Sequence, residues 1–143
     1  TKALTNGTGA NQANRMYAVN TTLGTSTTVN YDLAGSLVDV FGSTITFARI
    51  KAIYFELTTD TAATAVRVGG HATLAWGTFF HTADTLDNDQ PKVRVLNGGV
   101  FLLSAPDATG YPVTATTEDI LSITNEDASN IATYKLVLIG SAT

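Results

Sequence analysis

The sequence has no cysteine, which excludes disulfide staples and thiolate metal sites and leaves the redox compartment open. Charge is also scarce: Asp, Glu, Lys and Arg make up 14% of the 143 residues, where an average domain carries about 25%. The eight basic residues are scattered and the formal net charge is −4. No cationic stripe is available for a phosphate backbone, so nucleic acid is not expected as a partner. No apolar run approaches the ~20 residues of a membrane-spanning helix, and no membrane partner is expected. No basic stretch followed by an apolar run opens the sequence, so no secretory signal is read there.

What the chain does have is 44% hydrophobic residues, enough to bury a core and too many for a disordered segment. Threonine is the commonest residue, ahead of alanine. Its branched β-carbon favours strands and turns over helices. The polar surface is therefore built largely from Thr, Ser and Asn, a composition that suits a protein largely covered by its neighbours and is shared by Thr-rich extracellular domains.

The pattern divides the chain in two. Residues 1–28 are mostly Gly, Thr, Asn, Gln and Ala, and read as an extended N-terminal arm. The segment reads either as a flexible linker or tag, or as an arm ordered on a partner with Arg15, Met16 and Tyr17 as anchors, because Arg and aromatic side chains dominate interface energetics. Deleting the arm is expected to leave the rest folded. Residues 29–143 read as one β domain. Short apolar segments at 29–33, 44–57, 65–68, 71–76, 92–96, 100–103, 120–124 and 133–139 are bounded by Gly, Pro, Asn or Asp. Segment 37–41 reads as a strand or a helical turn.

Within 44–57, Ile45, Phe47, Ile53, Phe55 and Leu57 share one parity, and Arg49 and Lys51 interrupt it. A bulge or a change of environment is expected there. Asn97-Gly98-Gly99 between 92–96 and 100–103 predicts a tight hairpin. About eight to nine short strands leave room for two packed sheets. The fold class expected is all-β: a single jelly-roll-like β-sandwich, with an immunoglobulin-like sandwich as the second choice. Its core is expected to enclose Ile45, Phe47, Val93, Val95, Phe101, Ile120, Ile123 and Leu136. Ile120 and Ile123, however, lie on opposite faces of a regular strand.

Candidate chemistry is thin. The bases available to a nucleophile are His71 and His81, and Ser36 lacks a nucleophile elbow. The two histidines are ten residues apart, without the close ligand spacing of a metal site. Asp84, Asp87 and Asp89 form a local carboxylate cluster whose spacing departs from a calcium loop. Glu118-Asp119 and Glu126-Asp127 read as turn residues. Gly69-Gly70 and Gly98-Gly99 lack the lysine and helix of a phosphate loop. Asn6 and Asn20 fit the glycosylation pattern, a short motif that recurs by chance. Trp76, Phe79 and Phe80 would serve as an aromatic sugar platform or, more commonly for such residues, as core. No catalytic residue, cofactor or metal ligand is assigned, and no enzyme activity is expected.

Three groups of segments resemble a known family. They are Tyr31-Asp-Leu-Ala-Gly-Ser-Leu-Val-Asp-Val-Phe-Gly42 with Ile45-Thr-Phe-Ala-Arg-Ile-Lys-Ala-Ile53; Val95-Leu-Asn-Gly-Gly-Val-Phe-Leu-Leu-Ser-Ala-Pro-Asp-Ala-Thr-Gly-Tyr111; and Asp119-Ile-Leu-Ser-Ile-Thr-Asn125 with Tyr134-Lys-Leu-Val-Leu-Ile-Gly140. Together they resemble small virion structural proteins of tailed phages and prophages, over roughly residues 31–140 with 84–90 excepted. The resemblance implies a capsid decoration (cement) protein, made in the host cytoplasm and located on the virion. Its partners would be the major capsid protein or other virion subunits, with self-association as a homotrimer. A tail or head-fibre component and a carbohydrate-binding module are the alternatives.

Overall fold

The computed structural model describes residues 3–39, 41–59, 64–79 and 92–142. Among them there are thirteen strands and no helix. The first layer contains β3 (Arg15–Leu23), β7 (Arg49–Leu57), β10 (Val100–Ser104), β11 (Tyr111–Pro112) and β13 (Ala132–Ser141). Its order is β10-β7-β13-β3, with β11 beside the start of β7. The second layer contains β4 (Thr28–Asp32), β8 (Ala65–Gly69), β9 (Lys92–Leu96) and β12 (Ile120–Asn125), in the order β4-β12-β8-β9. Two small pairs complete the fold: β1 (Thr5–Asn6) with β2 (Gln12–Ala13), and β5 (Leu37–Val38) with β6 (Thr44–Ile45).

The pairing is nested. β3 pairs with β13, β4 with β12, β7 with β10 and β8 with β9, all antiparallel. The early strands thus meet the late ones in reverse order, as in a long hairpin folded over on itself. The inward parity supplies the core between the layers: Ile53, Phe55 and Leu57 from β7, Tyr134, Leu136 and Leu138 from β13, Leu121 and Ile123 from β12, and Val66 and Val68 from β8. Each such side chain, fully buried, contributes about 1.5–3 kcal/mol. Phe55 lies between two neighbours on its own sheet, 5.6 Å from Phe101 and 5.4 Å from Tyr134 between ring centres. The hydroxyls of Tyr31 and Tyr134 meet at 2.5 Å and tie the two layers together. Burial raises the pKa of both phenols, Tyr134 far above the usual range, so the pair stays neutral and hydrogen-bonded.

The interruption expected at Arg49 and Lys51 is a bulge. Residues 46–48 separate β6 from β7, and β7 then carries one extra residue, Lys51, opposite the step from Ile139 to Gly140. The extra residue switches the inward parity to Ile50 and turns Arg49 aside. Lys51 is buried, and its ammonium donates to the carbonyl of Asp107 in the loop that covers it. Burial lowers its pKa, and the Asp107 carboxylate opposes that shift. Arg49 donates to the Ala108 carbonyl at 3.0 Å, so both cations fasten the 105–110 loop over the end of the sheet.

Several expectations are corrected. The arm does not extend to residue 28: β3 is paired along its whole length with β13. Residues 3–14 are also tied to their own domain, through Asn14 N to Gly140 O, Asn11 N to Pro106 O and Ala142 N to Asn14 Oδ1. Deleting 1–28 would therefore strip a nine-residue strand from β13 rather than spare the fold.

Asn97-Gly98-Gly99 does turn the chain, with Gly98 at φ 71° and Gly99 N donating to Leu96 O. It is not a hairpin turn, because β9 joins β8 in one layer and β10 joins β7 in the other. Each strand finds a better buried neighbour than the other. Segment 71–76 is a turn leading to an isolated bridge at Ala75. Ile120 is only half-buried; Leu121 joins Ile123 on the core side, since strand parity excludes Ile120.

Candidate interaction face

The outward parity of the first layer builds an unusual surface. The register aligns Met16, Ile139, Ala52 and Ser104 in one row across the sheet. The next row is Ala18, Val137, Tyr54 and Leu102. A sandwich normally presents polar residues on its outer faces. Here two adjacent rows are almost entirely apolar, and Met16 and Leu102 are 62% and 65% exposed. Contiguous apolar surface of this kind makes the face a candidate interaction site.

The face has a polar border and a wall. One row further on, Glu56 stands between Lys135 and Val100. Its carboxylate accepts from the Tyr54 hydroxyl at 2.8 Å and from the Lys135 ammonium at 3.1 Å. Those two donors, Tyr54 first, hold the Glu56 carboxyl below the usual range. At the opposite end the β1–β2 pair stands beside the sheet. A concavity of about 470 Å³ opens there, lined by Leu4, Asn14, Arg15, Met16 and Ile139 among others.

The predicted anchors separate accordingly. Arg15 and Met16 line the concavity. Tyr17 points to the other face of the strand, where its ring packs 5.8 Å from that of Tyr31. Strand alternation makes adjacent residues diverge, so Tyr17, partly buried, packs against the core rather than on the outer face with Met16. Alternation of Tyr17, Val19, Thr21 and Leu23 was the available signal for this strand, masked by the intervening Asn20 and Thr22. A further exposed apolar point went unread in the sequence. Phe41 is 90% exposed at the tip of the β5–β6 hairpin, where the Asp39 carboxylate accepts from the N–H groups of Phe41 and Ser43.

The other candidate groups have local roles. His71 Nδ1 accepts from the N–H of Leu74 at 3.0 Å, closing a turn. Trp76 is fully buried, packs 4.8 Å from Phe79 and donates its indole N–H to Pro112 O, so it is not available as a sugar platform. Phe80, His81, Asp84, Asp87 and Asp89 lie outside the described residues. Asp127 organises the β12–β13 connection, accepting from Ser129 N, Asn130 N and the Thr64 hydroxyl. Glu126 lies 2.7 Å from Arg94 and 3.6 Å from Arg67. Asn6 and Asn20 are exposed. Among the described residues no three His, Asp or Glu side chains come together as a metal site.

Three carboxyls are held below their ordinary range: Asp107 by the N–H groups of Gly110 and Thr109, Asp127 by Ser129 N and Asn130, and Glu56 as above. A depressed folded pKa contributes stability that is complete above the unfolded pKa and is lost as pH falls through the folded one. Melting temperature is therefore expected to be level near neutrality and to fall below about pH 4, the ordinary carboxylate range. A melt at pH 2.5 as high as at pH 7 would contradict this. Replacing Asp127 with Asn should make the acid slope shallower.

Comparison with protein-family profiles, with curated proteins and with solved structures finds no match to the chain.

Proposed function

We propose that the chain is a structural subunit of a tailed-phage particle: a head decoration (cement) protein that attaches to the major capsid protein or another virion subunit and associates with itself. The observation that carries attachment is the pair of apolar rows across the outer face of the first layer. Location on the virion is supported by the resemblance of segments 31–53, 95–111, 119–125 and 134–140. The nested strand order supports the jelly-roll reading, an architecture common in capsid and lectin domains. A repeated lattice multiplies a modest interface energy, so a face of this size suffices on a particle.

Particles lacking the protein, mixed with the purified chain and sedimented, test the reading. Val137→Asp sets a carboxylate between Ala18 and Tyr54 in the middle of the face, away from the core. It is expected to weaken attachment at least ~30-fold, the effect of losing a hot spot of about 2 kcal/mol. The melting temperature should be unchanged. Equal binding by the variant, or no binding by the native chain, would overturn the proposal. Copy number per particle separates head decoration from a tail or head-fibre component. With Trp76 buried, the carbohydrate-binding alternative loses one of the three aromatics, Trp76, Phe79 and Phe80, that motivated it.

A further inference from the structure

Among the described residues the edges are β3 and, on the other side, β10 with the short β11 in the first layer, and β4 and β9 in the second. Exposed edges are templates for unwanted pairing, and proteins guard them with charge, proline, bulges or short length. β9 carries Lys92 and Arg94, β4 has five residues and ends at Asp32, and β10 has five residues. β3 has nine residues, Arg-Met-Tyr-Ala-Val-Asn-Thr-Thr-Leu, with no proline and one charge at its first position. Its register with β13 runs without a bulge. It is the longest edge and the least guarded.

The directions of its backbone groups follow from the ladder. Thr58 N donates to Thr133 O, and Asn14 N donates to Gly140 O. Odd-numbered residues of β13 thus face β7, and even-numbered ones face β3. Antiparallel pairs alternate between bonded and non-bonded positions. Tyr17, Val19 and Thr21, opposite Leu138, Leu136 and Tyr134, therefore bond to β13. Met16, Ala18, Asn20 and Thr22 direct their N–H and C=O groups away from the sheet. Among the described residues no other group bonds to these outward backbone groups.

We infer that β3 pairs antiparallel with β3 of a second copy, about a twofold axis at Val19. That register sets Met16 against Thr22 of the second copy, and Ala18 against Asn20. Every outward N–H and C=O then meets a bonding partner, because the four outward residues are symmetric about Val19. Arg15 falls opposite Leu23, so no like charges meet. The Gly24–Thr27 turn of the second copy arrives beside Asn14, at a cleft of about 300 Å³ lined also by Met16, Asp39 and Ile45. Paired residues share a face, so the two outer faces become one continuous surface in which the row at Ala18 and Val137 of each copy continues into the row at Asn20 and Lys135 of the other.

The area is adequate. With ~3.3 Å per residue and sheets ~10 Å apart, the β3–β4 side of the sandwich measures roughly 30 by 20 Å. Two such sides bury about 1,200 Å², the lower bound for a specific interface. The pairing is independent of what the outer face binds. It also replaces the threefold expectation with a twofold, since in a cyclic trimer β3 would have to meet a different edge.

Sedimentation equilibrium on the full chain at tens of micromolar tests it, with a mass of two chains expected. Ala18→Pro removes an outward N–H and keeps the ladder to β13, and proline is tolerated on such an edge. That variant is expected to be monomeric with an unchanged circular dichroism spectrum. A native monomer or trimer, or a folded Ala18→Pro dimer, would overturn the inference. If Ala18→Pro does not fold, charge decides. The double variant Ala18→Lys, Asn20→Lys should be monomeric alone and form a heterodimer with Ala18→Glu, Asn20→Glu. Failure of that mixture to dimerise overturns the twofold pairing.

Discussion

Trp76→Ala is expected to lower the unfolding free energy by about 3–5 kcal/mol, the range for emptying a large aromatic site in a core. The side chain is fully buried, and its ring packs on Phe79, which in turn meets Tyr111 edge-on at 6.1 Å. Its indole N–H donates to Pro112 O at 2.8 Å, and losing that bond leaves the carbonyl to the Thr78 hydroxyl at 3.1 Å. Its backbone N–H donates to Ile120 O, so the residue joins the 71–79 turn to β12 and to β11. Total stability of such a domain is about 5–15 kcal/mol, so the loss is a large share of it. At roughly 2–4 °C per kcal/mol, the melting temperature should fall by about 6–20 °C. A sugar-platform tryptophan would behave oppositely, with glycan binding lost and the melt preserved.

Gly140→Ala is expected to destabilise by about 1–3 kcal/mol or more, the cost of overpacking where neighbours have little freedom to move. A Cβ at Gly140 runs into the carbonyl oxygen of Arg49 and the ring of Phe47. The first is backbone, held in register by β13 at Ser141, and cannot rotate aside. Relief requires the bulge at Lys51 to open, which also loosens the 105–110 loop that Lys51 and Arg49 hold. Gly35→Ala is the matched control: its added carbon meets only the Asp32 carboxylate at 3.5 Å, an ordinary contact. Thermal melts of the two variants, compared with the native chain, check the difference. Equal melting temperatures would mean that the bulge tolerates a side chain.

Alternation and composition determined much of this protein. Alternating Ile53, Phe55 and Leu57, and Tyr134, Leu136 and Leu138, fixed two central strands and their inward faces, because strand parity is a local property. Arg49 and Lys51 announced the bulge, since two cations cannot follow that parity into a core without a break in register. The few charges announced a surface rich in uncharged groups. Tertiary structure decided the rest. Asn97-Gly98-Gly99 fixes a turn, but whether its flanking strands pair with each other or with β8 and β7 depends on competing partners far away in the chain. The strand at Arg15–Leu23 owes its order to β13, more than a hundred residues on, so its weak local pattern resembled an arm. The outer face is distributed over β3, β7, β10 and β13, and becomes a surface only when the register aligns Met16 with Ile139 and Val137 with Tyr54. Parity is written along the chain, but register is set by long-range pairing, and it is register that creates a face.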